Sequence, residues 1–259
     1  MKVQIPGNFA DVLTIDNAAE RLDEAKEVAV AILSAGVELA PQMDHAAIFT
    51  DPPHLVAGPL KEVGYIAGWD KRCYPSPVDG QDYINVPSGL PEGHSALSNG
   101  WFRYVAVVHP VDQAARDEML SQDYGNPFIH HLTWGIVPPK GDQNNAFEYT
   151  RTAIKFMVES REKIGRALNN APGTLIMALP EAVVQDPRSE AMFSDCLSHL
   201  PSSNFQIETM QGDGILIQFF VLTGGRIEVA LRVDTQQTFN PKSVHKISED
   251  EISTRQTDA

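Results

Sequence analysis

Cysteine is scarce in this chain. The two present, Cys73 and Cys196, lie far apart and form no CxxC pair. That excludes a disulfide framework and a thiolate zinc site, and it fits a reducing cytoplasm. Long apolar runs are absent too. None approaches the ~18 residues needed to span a bilayer. The opening MKVQIPGNFADV holds one Lys but no apolar segment, so no secretory leader is expected. Basic residues are outnumbered, with 20 Lys and Arg against 34 Asp and Glu for a net charge of −14. Nucleic-acid binding needs clustered cations to replace counterions, and an anionic membrane surface would repel this chain. The expected partner is a small-molecule substrate, with neither nucleic acid nor membrane, and a homodimer is allowed. Nucleotide-binding and hydrolase signatures of the forms GxGxxG, GxxxxGK[ST] and GxSxG are missing as well.

What is present is an ordinary globular composition, 42% hydrophobic and 21% charged over 259 residues, enough for one large domain or two modules. Residues Asn17 to Leu39 read as a helix. Ala18, Leu22, Ala25, Val28, Ala29 and Leu33 recur at helical spacing, Asp16 or Asn17 is available as a cap, and Gly36 lies near the end. A strand over Met43–Thr50 and a short helix over Leu55–Val63 follow. Residues 70–100 are rich in Pro, Gly, Asp and Ser, with a short strand at Tyr83–Val86. A strand over Trp101–Val108 closes this round at His109-Pro110. The second round has strands at Ile129–Val137 and Gly173–Leu179, a long helix at Phe147–Leu168 and a short one at Glu190–Leu200. Two more strands, Ile215–Leu222 and Arg226–Val233, are joined by a Thr223-Gly224-Gly225 hairpin turn.

The two rounds open on similar phrases, Asp44-His45-Ala46-Ala47-Ile48 and His130-His131-Leu132-Thr133-Trp134, about 86 residues apart (131 − 45). Two βαβββ modules would explain the repeat. The expected architecture is α+β: paired βαβββ modules forming a curved mixed sheet around a metal site, with an extra N-terminal helix. Residues 1–40 form a helical extension, 41–125 the first module, 126–237 the second, and 238–259 a disordered polar tail.

Alternation along the strands sorts their side chains. Leu132, Trp134 and Ile136 make an apolar face, with His131 and Thr133 opposite. Ile227, Val229, Leu231 and Val233 leave Glu228 and Arg232 on the other side. Ile215, Ile217, Phe219 and Val221 leave Gln218, which the turn should set roughly across from Glu228. Polar residues in central strands are costly to bury unless paired or bound to a metal, and two imidazoles with one carboxylate are a standard set for Fe(II) that also suits Zn, Mn or Ni. A solvated sheet face would show the same parity.

These phrases resemble the vicinal-oxygen-chelate superfamily, which includes glyoxalase I, extradiol dioxygenases and 4-hydroxyphenylpyruvate dioxygenase. The resemblance covers about residues 43–233. It implies one divalent metal, Fe(II) favoured, on His45, His131 and Glu228. The run GDGILIQFFVLTGGRIEVALRV, ending at Val233, is similar to the closing hairpin of the hydroxyphenylpyruvate dioxygenases and implies an active-site role for Gln218. Glyoxalase I usually carries a second Glu at the end of its first module. The corresponding WFRYVAVVHP has no acid, which favours the dioxygenase set. The chain is much shorter than a hydroxyphenylpyruvate dioxygenase and shows no counterpart of its C-terminal gating helix, so substrate identity does not carry over.

Thr133, Arg232 and Arg103 are the candidate substrate contacts, the arginines as bidentate partners of a carboxylate. Parity puts His130 on the apolar face as a hydrogen-bonded core or edge residue. His109 is the local candidate for a fourth ligand. His54 and His94 should be solvated in loops, and His199 and His245 should bind no metal. His131-Leu132-Thr133 fits the HxT element of two-histidine phosphodiesterases, but that chemistry needs two such elements and there is one. The implied function is an Fe(II) dioxygenase acting on a small oxygen-chelating substrate. The rivals are a glyoxalase-type isomerase or lyase using Zn, Ni or Mn, and a metal-free binding module.

Overall fold

A computed structural model describes residues 14–15, 17–40, 43–52, 54–67, 74–75, 82–90, 95, 102, 104–121, 125–210, 214–222 and 226–233. The expected disordered tail and most of the 70–100 loops lie outside them. The described residues fall into two compact units. One is drawn from Met1–Ala25 and Pro41–Leu132, the other from Lys26–Ala40 and Thr133–Thr238.

In the first unit, β1 (His45–Phe49) leads into α2 (His54–Val63), β2 (Ile66–Ala67), β3 (Tyr74–Pro75), β4 (Asp82–Gly89) and β5 (Tyr104–Pro110), then α3 (Gln113–Ser121). The sheet order is β2-β4-β5-β1, with β3 on β4. β1 runs parallel to β5, and β4 is antiparallel to it. This is the expected βαβββ module with the two-residue β3 added on β4, and its first strand pairs with its last. β1 is buried on both faces, which is why it reads as an unbroken apolar run rather than an alternating one. Ala47, Phe49, Ala106, Val108 and Phe128 form one core cluster. His109-Pro110 does not stop β5, because both residues continue the ladder opposite Ile84 and Tyr83.

The second unit repeats the plan. β6 (Phe128–Gly135), whose last residues belong here, is followed by α4 (Ala146–Leu168), β7 (Leu175–Pro180), two short helices α5 (Glu181–Val184) and α6 (Ser189–Leu197), β8 (Phe205–Met210), β9 (Ile215–Leu222) and β10 (Arg226–Val233). The order is β10-β9-β7-β8, and Ile136 N donates to Ala230 O at 2.9 Å, tying the end of β6 to β10. β8, parallel to β7, is an added edge strand that the sequence pattern does not reveal. The fold is α+β, built of two βαβββ modules with an additional N-terminal helix, α1 (Ala18–Ser34).

Local chemistry sets these boundaries. α1 ends earlier than its apolar spacing suggests, because Gly36 takes φ +75 and Val37 N turns back to Ile32 O at 3.1 Å. Leu39 instead bridges to Ile136. Asn17 does not cap the helix with its side chain. Its amide accepts from Ile129 N at 2.8 Å and donates to Ile129 O at 3.3 Å, standing in for a strand neighbour of β6. α4 is capped at its start by Asn145, whose side chain accepts from Glu148 N, and at its end by Asn169 in the left-handed region.

Candidate metal centre

Two of the candidate imidazoles, His45 and His131, lie in the first unit. His45 opens β1, is only 5% exposed, and has Nδ1 2.7 Å from Asp44 Oδ2. Its register partner on β5 is Tyr104, whose ring meets it edge-on at 5.3 Å between centroids. His131 also meets it edge-on, at 5.5 Å and 80°. His131 Nδ1 lies 2.9 Å from His130 Nδ1. β1 and β6 each begin a module, so the repeated phrase in the sequence corresponds to a repeated position in the fold.

A carboxylate, Glu228, lies in the second unit. Glu228 in β10 is 2% exposed, and Thr133 Oγ1, fully buried, donates to its Oε2 at 2.9 Å. Thr133, a candidate substrate contact in the sequence, thus commits its hydroxyl proton to Glu228. The register corrects one expectation: Phe220, not Gln218, stands across from Glu228, and Gln218 stands across from Ala230. Directly paired residues share a face, so Gln218 still lies on the Glu228 face as its diagonal neighbour. On its other side Gln218 pairs with Ile176 of β7. Arg232 occupies a β10 position opposite Leu216, and its side chain lies outside the described residues. Arg103 and the Thr223–Gly225 turn also lie outside them.

Among the described residues, His45, His131 and Glu228 make a group of three that could hold a metal ion. The donor set fits such an ion: two nitrogen ligands and one carboxylate, largely withdrawn from water.

The remaining histidines divide plainly. His109 is buried, with Nδ1 3.2 Å from Thr50 O and its ring stacked on Phe49. Burial holds its pKa below the usual histidine value, against the opposing pull of the Thr50 hydrogen bond and Asp51. It sits five residues along β5 from Tyr104, the register partner of His45, which is about 16 Å at the usual strand rise. His199 lies on the surface, 3.2 Å from Glu162. The His54 side chain, His94 and His245 lie outside the described residues.

Three residues near the site escape sequence reasoning: Asp44, Tyr104 and His130 as a partner of His131. Adjacency was the available signal, Asp44-His45 and His130-His131. Strand alternation argues against it by sending neighbours to opposite faces.

No protein-family model and no curated protein matches this chain. Among solved structures, a triple mutant of 4-hydroxymandelate synthase from Streptomyces coelicolor matches at TM-score 0.41 and 13% identity, over 84% of this chain and 56% of that one. The chain therefore spans just over half the length of that protein.

Proposed function

We propose that this chain is a metal-dependent enzyme of the vicinal-oxygen-chelate type, an Fe(II) dioxygenase acting on a small organic substrate with two neighbouring oxygens. The observation that carries the reading is that one ligand atom from each of His45, His131 and Glu228 lies within 4.8 Å of the others. Two neutral imidazoles and one carboxylate leave a divalent cation with one net positive charge. That favours an anionic chelator, such as a 2-oxo acid or a catecholate. Bound there, the metal would supply Lewis-acid polarisation of the substrate oxygens and, as iron, redox chemistry toward O₂.

The residues of the chain do the rest. Thr133 fixes the orientation of the Glu228 carboxylate through its hydroxyl. Gln218, half-buried on the same face, offers an amide to a polar group of the substrate. Phe220 and Ile176, both buried around it, keep water from that face. Arg232 and Arg103 are the candidates to hold a substrate carboxylate.

A glyoxalase-type isomerase or lyase is the second reading. It needs a fourth protein ligand, and His109 is displaced along β5 as described above. Among the described residues the set numbers three, which favours the dioxygenase.

Elemental analysis of the purified protein beside His131→Ala tests this. About one equivalent of iron in the wild type, lost in the variant, is the expected result. Zinc, nickel or manganese lost in the same way would move the assignment to an isomerase or lyase. Absence of metal in both, after anaerobic reconstitution with Fe(II), would leave a metal-free binding module.

A further inference from the structure

His45 and His131 each have Nδ1 engaged by the residue immediately before them in the chain. Asp44 Oδ2 is 2.7 Å from His45 Nδ1, and His130 Nδ1 is 2.9 Å from His131 Nδ1. Strand geometry does not produce such contacts as a by-product, because successive side chains point to opposite faces. Asp44 escapes that rule by preceding the first residue of β1. His130 lies inside β6 and makes the contact regardless. The same kind of contact at the opening strand of both modules, made with different chemistry, calls for a common purpose.

A neutral imidazole carries one N–H and one bare nitrogen, and a metal takes the bare one. A carboxylate only accepts, so Asp44 holds the His45 proton on Nδ1 and leaves Nε2 bare. Between His130 and His131 one Nδ1 must donate and the other accept. We infer that Asp44 and His130 are positioning residues that fix Nε2 as the ligating nitrogen of His45 and His131, with His130 accepting at Nδ1 and keeping its own proton on Nε2. This rests on the metal reading above. The partners differ in strength. Asp44 offers a carboxylate and a charge-assisted hydrogen bond, whereas neutral His130 orients His131 with a weaker pull. Asp44 should therefore matter more to affinity.

The test uses the full chain loaded with Zn(II). Long-range ¹H–¹⁵N spectra of the histidine rings should show a slowly exchanging Nδ1 proton on His45 and on His131. A ring proton on Nε2 of either would overturn the inference without recourse to a variant. Zn(II) affinity, read by competition with a chromophoric chelator, should fall about 10- to 100-fold in Asp44→Ala and by less in His130→Leu. His130→Gln should recover most of the loss, since its amide oxygen can accept from His131. Unchanged affinity in both Asp44→Ala and His130→Leu would sink the positioning role while leaving the metal site standing. Wild-type protein that binds no Zn(II), or His131→Ala that binds it equally well, would remove the metal reading and this inference together.

Discussion

Thr133 Oγ1 donates a hydrogen bond to Glu228 Oε2 at 2.9 Å, joining two buried polar side chains from β6 and β10. A buried carboxylate that loses a donor is left with desolvation uncompensated, at about 1–3 kcal/mol. Thr133→Val keeps the shape and removes the donor. It should lower the urea midpoint by an amount in that range and weaken Co(II) binding about 10-fold or more, as loss of an outer partner does at metal sites. Thr133→Ser should retain most of both. Equal stability and affinity in Thr133→Val would show that this hydroxyl does not hold the carboxylate in place.

Glu228→Gln separates function from stability. The amide is nearly isosteric and can still accept from Thr133, while the buried charge disappears. Replacing buried charge by a well-fitting neutral group is often neutral or stabilising. The metal-free protein should therefore melt at the same temperature or higher. Metal content after reconstitution should fall to background, because the only anionic ligand of the set is gone. A variant that melts lower and still binds metal would contradict both halves of this account.

Much of this architecture is legible in the sequence, and the gaps have physical causes. α4 was readable because its apolar residues return every three or four positions over 23 residues. β9 and β10 are readable because each is a run of mostly apolar residues, and the residues Ile215, Ile217, Phe219, Val221, Ile227, Val229 and Leu231 are all buried. α3 was not, since Ala115 is its one buried residue and no apolar stripe exists to find. The usable signal there was Asp112, whose carboxylate accepts from Ala115 N at 3.0 Å as an N-cap. β8 hid because, as an edge strand, it buries none of its residues fully. Alternation sets Gln218 on the correct face but two residues out of register along the β9–β10 ladder. A shift of two residues preserves the face, so parity alone could not detect the error. The donor set was legible through resemblance. The hydrogen bonds that Asp44 and His130 make to it join residues adjacent in the chain, which alternation does not encode.

His109 should give the protein a pH-dependent stability. Burial lowers its folded-state pKa below the unfolded value near 6.5. The unfolded chain then binds more protons through that window. Stability is full above about pH 6.5 and declines as pH falls toward the folded pKa, by at most about 1.4 kcal/mol per pH unit for one group. His109→Gln can still donate to Thr50 O but does not titrate there. Its urea midpoint should fall less steeply than that of the wild type between about pH 6.5 and 5. Parallel slopes would mean that other groups govern the acid limb.

Gly165 decides a sign. Glycine inside a helix is normally worse than alanine by about 1 kcal/mol, so Gly→Ala in α4 would ordinarily stabilise. Here a Cβ would lie 2.7 Å from Pro172 Cδ and 3.0 Å from Asn170 O. The turn from Asn169 to Gly173 folds back tightly against the last turn of the helix. Arg161 holds it there, donating to Pro172 O at 2.8 Å and Gly173 O at 3.0 Å. Asn170 N adds a bond to Gly165 O at 3.0 Å. A proline ring and a backbone carbonyl cannot swing aside as a flexible side chain would. Overpacking at such a point costs about 1–3 kcal/mol, which outweighs the propensity gain. Gly165→Ala should therefore lower the urea midpoint, and Arg161→Met, which frees the turn from its two carbonyl contacts, should reduce that penalty in the double variant. A more stable Gly165→Ala protein would mean the turn yields readily, and the Arg161 contacts would then have no role in holding it against the helix.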